Sequence, residues 1–187
     1  MSRGFVPLVV AAALLTSCSG TAEPAAPTTS AAATSGPQVP SPLPTNGLLS
    51  DPCGVLTEAE AGTVGLASPG KEDTSTAKGC TWKSSSSEPN QIALTPLPRN
   101  TGGIGDVYAQ KAKDAYFEPV SISGYPGAYA DVQDARSQGS CTLWVGVTDQ
   151  LAVSVIPQIQ EGPHQSDPCG VAQNFAAAMI THLKAQT

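Results

Sequence analysis

The chain has 187 residues, of which 9 are Lys or Arg and 15 are Asp or Glu, for a formal charge of -6 and a charged fraction of 13%. An acidic chain with no Lys/Arg cluster argues against nucleic-acid binding and against electrostatic adhesion to anionic lipid. Residues 51–187 suit one ordinary domain, long enough to bury about two-thirds of its unfolded surface around a single core.

The N-terminus carries one cation, Arg3, followed by an apolar run from Phe5 to Leu15. A positive start, a short apolar core and small residues before a break form a secretion signal over residues 1–17. The run is too short to span a bilayer as a helix, which takes about 20 apolar residues. Leu15-Thr16-Ser17-Cys18 resembles the bacterial lipobox. That resemblance implies that Cys18 becomes the mature N-terminus and carries a diacylglycerol. The alternative is an ordinary cleaved signal with an incidental Cys18. Two acyl chains would hold the protein stably on the extracytoplasmic side of the cell membrane.

Residues 19–50 contain six Pro, ten Ser/Thr and six Ala, with Glu23 the single charge and no aromatic. Such a segment cannot offset its ordering entropy by burial, so residues 18–50 are expected to form a disordered tether. As a coil it would span roughly 30 Å, and as polyproline II about 100 Å.

Asp-Pro-Cys-Gly-Val occurs twice, at 51–55 and at 167–171. Asp is a good N-cap and Pro suits the first helical position, so each copy predicts a helix start with Cys in its first turn. Apart from Cys18, the cysteines are Cys53, Cys80, Cys141 and Cys169. An even number in an exported domain reads as two disulfides, and four cysteines allow three pairings. The spacing favours Cys53–Cys80 and Cys141–Cys169, which close loops of similar length. Each such loop would stabilise by about 3.6 kcal/mol on the chain-entropy model. A zinc site is the rival, but no C-x-x-C pair exists, and no metal ligand is assigned.

Along the domain, Thr57-Glu58-Ala59-Glu60 offers a capping box for a short first helix that Gly62 and Gly65 end early. Ser68 to Gly79 reads as polar loop. Cys80 to Lys83 and Gln91 to Thr95 read as strands, joined by a turn-rich link. Asp106 to Ala115 reads as helix, Val120 to Ser123 as strand, and Gly124 to Ala130 as a turn leading into a strand. Ser137-Gln138-Gly139 is a hairpin turn. Cys141 to Val147 and Leu151 to Ile156 follow as strands. Pro168 to Lys184 is the clearest helix, with Val171, Phe175, Met179 and Leu183 as its core stripe. Strands joined by short turns pair antiparallel. The expected fold is therefore α+β: an antiparallel sheet with an N-terminal short helix, a middle helix and a C-terminal long helix packed on it, held by two disulfides.

The ordered set resembles one known family. It consists of the lipobox, the Pro/Thr-rich tether, Asp-Pro-Cys opening a helix, Gly79-Cys80-Thr81-Trp82, the Ile122-Ser123-Gly124 segment, a strand cysteine and a cysteine opening the last helix. Together these look like the actinobacterial lipoproteins of domain of unknown function 3558, over nearly all of residues 48–187. The resemblance implies no particular activity.

No catalytic residue and no cofactor is assigned. His164 lies in a loop and His182 beside the last helix's apolar stripe; a triad needs a nucleophile and an orienting acid as well. No Gly-x-Ser-x-Gly elbow is present, and Ser121-Ile122-Ser123-Gly124 reads as strand and turn. Gly102-Gly103-Ile104-Gly105 lacks the Lys of a P-loop and the spacing of a dinucleotide fingerprint. Asp131 and Asp134 flank a turn and read as solvated. Trp82, two residues from Cys80, reads as core beside the disulfide. Trp144 falls on the less apolar face of its strand, so either another element covers it or it contacts a ligand or partner, together with Tyr125 and Tyr129. The expectation is a membrane-anchored, non-enzymatic binding or accessory module, meeting an envelope protein or a small apolar or wall-derived ligand. An envelope hydrolase and a purely structural surface protein are the alternatives.

Overall fold

The computed structural model describes residues 36–75, 77–86 and 89–187. The secretion signal, Cys18 and the tether up to residue 35 lie outside the described residues.

Among the described residues, seven strands form one antiparallel sheet, β1 (Lys71–Asp73), β2 (Gly79–Lys83), β3 (Gln91–Pro96), β4 (Tyr116–Ile122), β5 (Tyr125–Asp131), β6 (Leu143–Thr148) and β7 (Leu151–Gln158), in the spatial order β1-β2-β3-β7-β6-β5-β4. Among the described residues, four helices accompany it: α1 (Asn46–Ser50), α2 (Glu58–Thr63), α3 (Ile104–Ala109) and α4 (Pro168–Lys184). The α+β expectation and both disulfides, Cys53–Cys80 and Cys141–Cys169, hold.

Alternation builds the core. On β3, Ile92 and Leu94 are buried while their neighbours are half-exposed. The register sets Ile92 beside Trp82, and Leu94 beside Val155, which in turn faces Leu143. The apolar stripe thus crosses the strand boundaries on one face, as a period of two requires. Helix α4 lies on that face. Its first turn follows the predicted chemistry: Asp167 Oδ1 accepts the Gly170 amide at 3.0 Å and Pro168 opens the helix. Ala172, Phe175, Ala176, Met179, Ile180 and Leu183 are buried, and Phe175 meets the Trp82 ring at 5.2 Å. An aromatic pair of this geometry adds about 1 kcal/mol beyond its burial. Val171 is half-buried, rotated one residue off the stripe that the sequence predicts.

Four expectations need correction. The ordered domain does not begin at Asp51. Val39, Leu43 and Leu48 are buried, Leu43 N donates to Val147 O, and Tyr125 Oη donates to Ser41 O. Widely spaced apolar residues within a Pro-rich segment fill the end of the sheet, and a composition average conceals them. Gly36 lies so close to α3 that a Cβ there would sit 2.5 Å from Gly105 Cα.

The first Asp-Pro-Cys makes a 3-10 turn, Pro52–Val55, without a side-chain cap. The chain turns extended at Leu56, so that Val55 and Leu56 both enter the core. Thr57 then starts α2 with the full capping box.

Lys71–Asp73 pairs as an edge strand within the expected loop, because its backbone finds β2 although all three side chains are exposed. Helix α3 ends at Ala109, short of Ala115, and a 3-10 turn at Lys111–Lys113 follows. The chain is then taken up by β4, which pairs along its whole length with β5 from Tyr116 to Ile122.

Candidate functional site

An open cleft of about 740 Å³ lies beside α4. One wall is an outer stripe of α4: Gly170, Val171, Asn174 and Ala177, at spacings that place them on one helical face. The opposite wall is the end of α2 and the turn after it, Thr63 to Leu66. Leu66, Ile92 and Ile159, all buried, contribute apolar lining, and Ser84, Ser86, Asn90 and Gln91 contribute polar lining. The loop Glu161 to His164, with Asp167, completes the rim.

Each wall is fixed separately to the same sheet. Cys169, in the first turn of α4, is bonded to Cys141 just before β6. Cys53, in the turn that leads to α2, is bonded to Cys80 on β2. This is the structural meaning of the duplicated pentapeptide. A third tie joins the walls to each other: His182 Nδ1 lies 2.8 Å from Glu60 Oε2. Glu60 also accepts from the Thr57 amide and hydroxyl, both at 2.8 Å. The Thr57 amide, above all, holds the Glu60 carboxyl below its ordinary value of 4.5; the Thr57 hydroxyl and His182 act in the same direction.

Asn90 positions the rim loop. Its side chain is buried, with Nδ2 donating to Glu161 O at 2.8 Å and Oδ1 accepting from Gln160 N at 2.7 Å and Glu161 N at 3.2 Å. A buried amide is costly unless paired, so this residue clamps β3 to the loop after β7. The sequence marks Asn90 only as the end of a turn-rich link. The α4 cleft stripe leaves a fainter signal: small and neutral residues at helical spacing, next to the core stripe.

The expected contact residues do not converge. Tyr125 is 3% exposed, with its hydroxyl on Ser41 O and the Lys184 ammonium 4.9 Å from its ring centroid. Tyr129 is half-buried and donates to Gln173 Oε1 at 2.8 Å; burial raises its pKa. Both face the α4 side of the sheet. Trp144 lies on the opposite face, half-buried, and donates from Nε1 to Ala130 O at 2.8 Å. None of the three lines the cleft. Trp82 is core, as expected, at 1% exposure.

The residues weighed for chemistry are held elsewhere. Asp134 takes two contacts from Arg136, which bring its carboxyl down to about 2, and Asp131 accepts from Thr142 Oγ1 at 2.6 Å. Gly103 and Gly105 serve the start of α3, Gly103 at a φ of +55°. His182 is occupied on both nitrogens, by Glu60 and by Gln186 Nε2 at 2.7 Å. His164 lines the cleft and touches Asp167 through the backbone, Asp167 N donating to His164 O at 3.0 Å. Among the described residues, no group of three or more His, Cys, Asp or Glu is arranged to hold a metal ion, and no helix is long and apolar enough to cross a membrane.

No curated protein and no solved structure matches this chain. One family model does, described as a protein of unknown function (DUF3558), and it covers residues 13–182, so the chain belongs to that family.

Proposed function

We propose that this protein is a lipid-anchored, extracytoplasmic binding or accessory module of the actinobacterial cell envelope, without catalysis of its own, and that its ligand sits in the cleft between α2 and α4. The observation that carries this proposal is a cleft whose walls are cross-linked separately to one sheet. Fixed walls lower the ordering cost of binding, and the volume lies within the range of small-ligand sites. The anchor rests on Leu15-Thr16-Ser17-Cys18 after a short apolar run, and the compartment on the two disulfides. The ligand would be an envelope protein or a small wall-derived molecule.

Two measurements test the two halves of the proposal. Cys18→Ala should move the protein from the membrane to the soluble fraction; continued membrane retention would refute the lipid anchor. Asn174→Trp fills the cleft from an exposed helical position. It should abolish recovery of a partner from solubilised membranes, and equal recovery by wild type and variant would remove the cleft from the function.

A further inference from the structure

Resting on the cleft as the binding site and on Cys18 as the anchor, we infer that the cleft opens away from the bilayer. Its partner then arrives from the aqueous side and is neither a lipid nor a membrane-embedded segment.

The attachment and the cleft lie at opposite ends of the sheet. The described chain enters at Gly36, packed against Gly105 of α3. Val39 N donates to Asp149 Oδ1 at 3.0 Å, Leu43 N to Val147 O at 2.9 Å, and Tyr125 Oη to Ser41 O at 2.9 Å. These partners sit at the β6–β7 and β4–β5 turns. The cleft gathers at the other end, around Gln91 at the start of β3, Ile159 just past β7 and Gly170 in the first turn of α4. Two elements run the whole way between. Strand β7, with 8 residues, and helix α4, with 17, each cover about 25 Å. The far end of α4 returns to the attached end, where Lys184 Nζ donates to Ser123 O.

Attachment at one end orients the domain because no surface competes with it. The 18 residue steps from Cys18 to Gly36 reach at most about 60 Å in any conformation. The attached end is confined within that reach, and the cleft end ranges about 25 Å beyond it. When the attachment sits closer to the bilayer than the domain is long, pointing the cleft downward drives it into lipid. Among the described residues, the exposed large apolar side chains are Leu49 and Val132, single residues rather than a patch that would hold another side down. The acidic net charge gives no attraction to anionic lipid.

The lining agrees with an aqueous partner. Thr63, Ser86, His164, Asp167 and Asn174 are the polar side chains that reach solvent in the cleft. Its aliphatic side chains are buried or half-buried behind them, so an acyl chain finds no continuous open apolar wall.

The test places the full lipidated chain in nanodiscs with a gadolinium chelate on some lipid headgroups. Methyl signals of Leu43, Ile104 and Leu151, at the attached end, should lose intensity, and those of Val64, Ile159 and Val171, at the cleft end, should keep it. Equal loss at both ends, or greater loss at the cleft end, would overturn the orientation and leave the anchor standing. The Cys18→Ala chain should stay off the discs and lose no signal. If the unsubstituted lipidated chain also stays off, the anchor reading falls and the orientation with it. The discs read the orientation whether or not Asn174→Trp changes partner recovery, so the cleft reading and this inference fail separately. Dihexanoyl-phosphatidylglycerol, below its micelle concentration, probes the partner class. Added to the Cys18→Ala chain, it should leave Val64 and Val171 unshifted. A saturable shift of both would make lipid the ligand of the cleft and overturn the inference.

Discussion

Glu60 Oε2 and His182 Nδ1 meet at 2.8 Å although 122 positions separate them in sequence. The contact joins the capping box of α2 to the last turns of α4, the two elements that wall the cleft. Gln186 Nε2 faces His182 Nε2 at 2.7 Å. A carboxylate only accepts, so the proton of the Glu60 contact sits on Nδ1.

The pair has a pH signature. The folded pKa of Glu60 is depressed, so its contribution to stability is present above the ordinary value of 4.5 and disappears as pH falls through the lowered one. Urea unfolding midpoints should therefore fall between about pH 5 and pH 3, and Glu60→Gln should flatten part of that fall. His182→Ala should cost about 1 kcal/mol at neutral pH, since the histidine is mostly buried and the glutamate partly screened. A His182→Ala variant as stable as wild type would show that the tie contributes nothing.

Removing a wall's cross-link should loosen that wall. Cys141→Ser with Cys169→Ser should lose about 2–4 kcal/mol in denaturant unfolding. Amide exchange should accelerate in the first turns of α4 before it does in the β3–β7 pairing. Mass spectrometry of the mature protein should find no free thiol at Cys53, Cys80, Cys141 or Cys169.

Asn90→Ala should uncouple the rim loop. Two backbone amides, Gln160 and Glu161, lose their acceptor, and the Glu161 carbonyl loses its donor. The expected cost is about 1–3 kcal/mol, because buried groups are left unpaired. Hydrogen exchange at Gln160 and Glu161 reads the effect directly, and unchanged protection there would refute the clamp.

The segment before Asp51 is part of the fold. Leu48 is 1% exposed, so Leu48→Ala should cost about 2–5 kcal/mol. A chain beginning at Asp51 should unfold at lower temperature than one beginning at Gly36, since it lacks Val39, Leu43 and Leu48. Equal melting temperatures would return this segment to the tether.

Local chemistry determined much of this protein. Asp167-Pro168 starts α4, Thr57 with Glu60 caps α2, and alternation at Ile92 and Leu94 lays β3 against the core; each depends on neighbours within about four positions. Cysteine number pointed to two disulfides and spacing favoured one of three pairings, which the structure then settled. The tertiary structure alone decided which similar local signals behave alike. The same five residues make a long helix at 167 and a 3-10 turn at 51, because Val55 and Leu56 are both drawn into the core. Val39, Leu43 and Leu48 bind a Pro-rich segment to the sheet, and exposed Lys71–Asp73 becomes a strand through its partner. The cleft, too, exists only in three dimensions. Its residues come from four separate stretches of chain, and side chains that converge across such distances leave no period for a sequence to display.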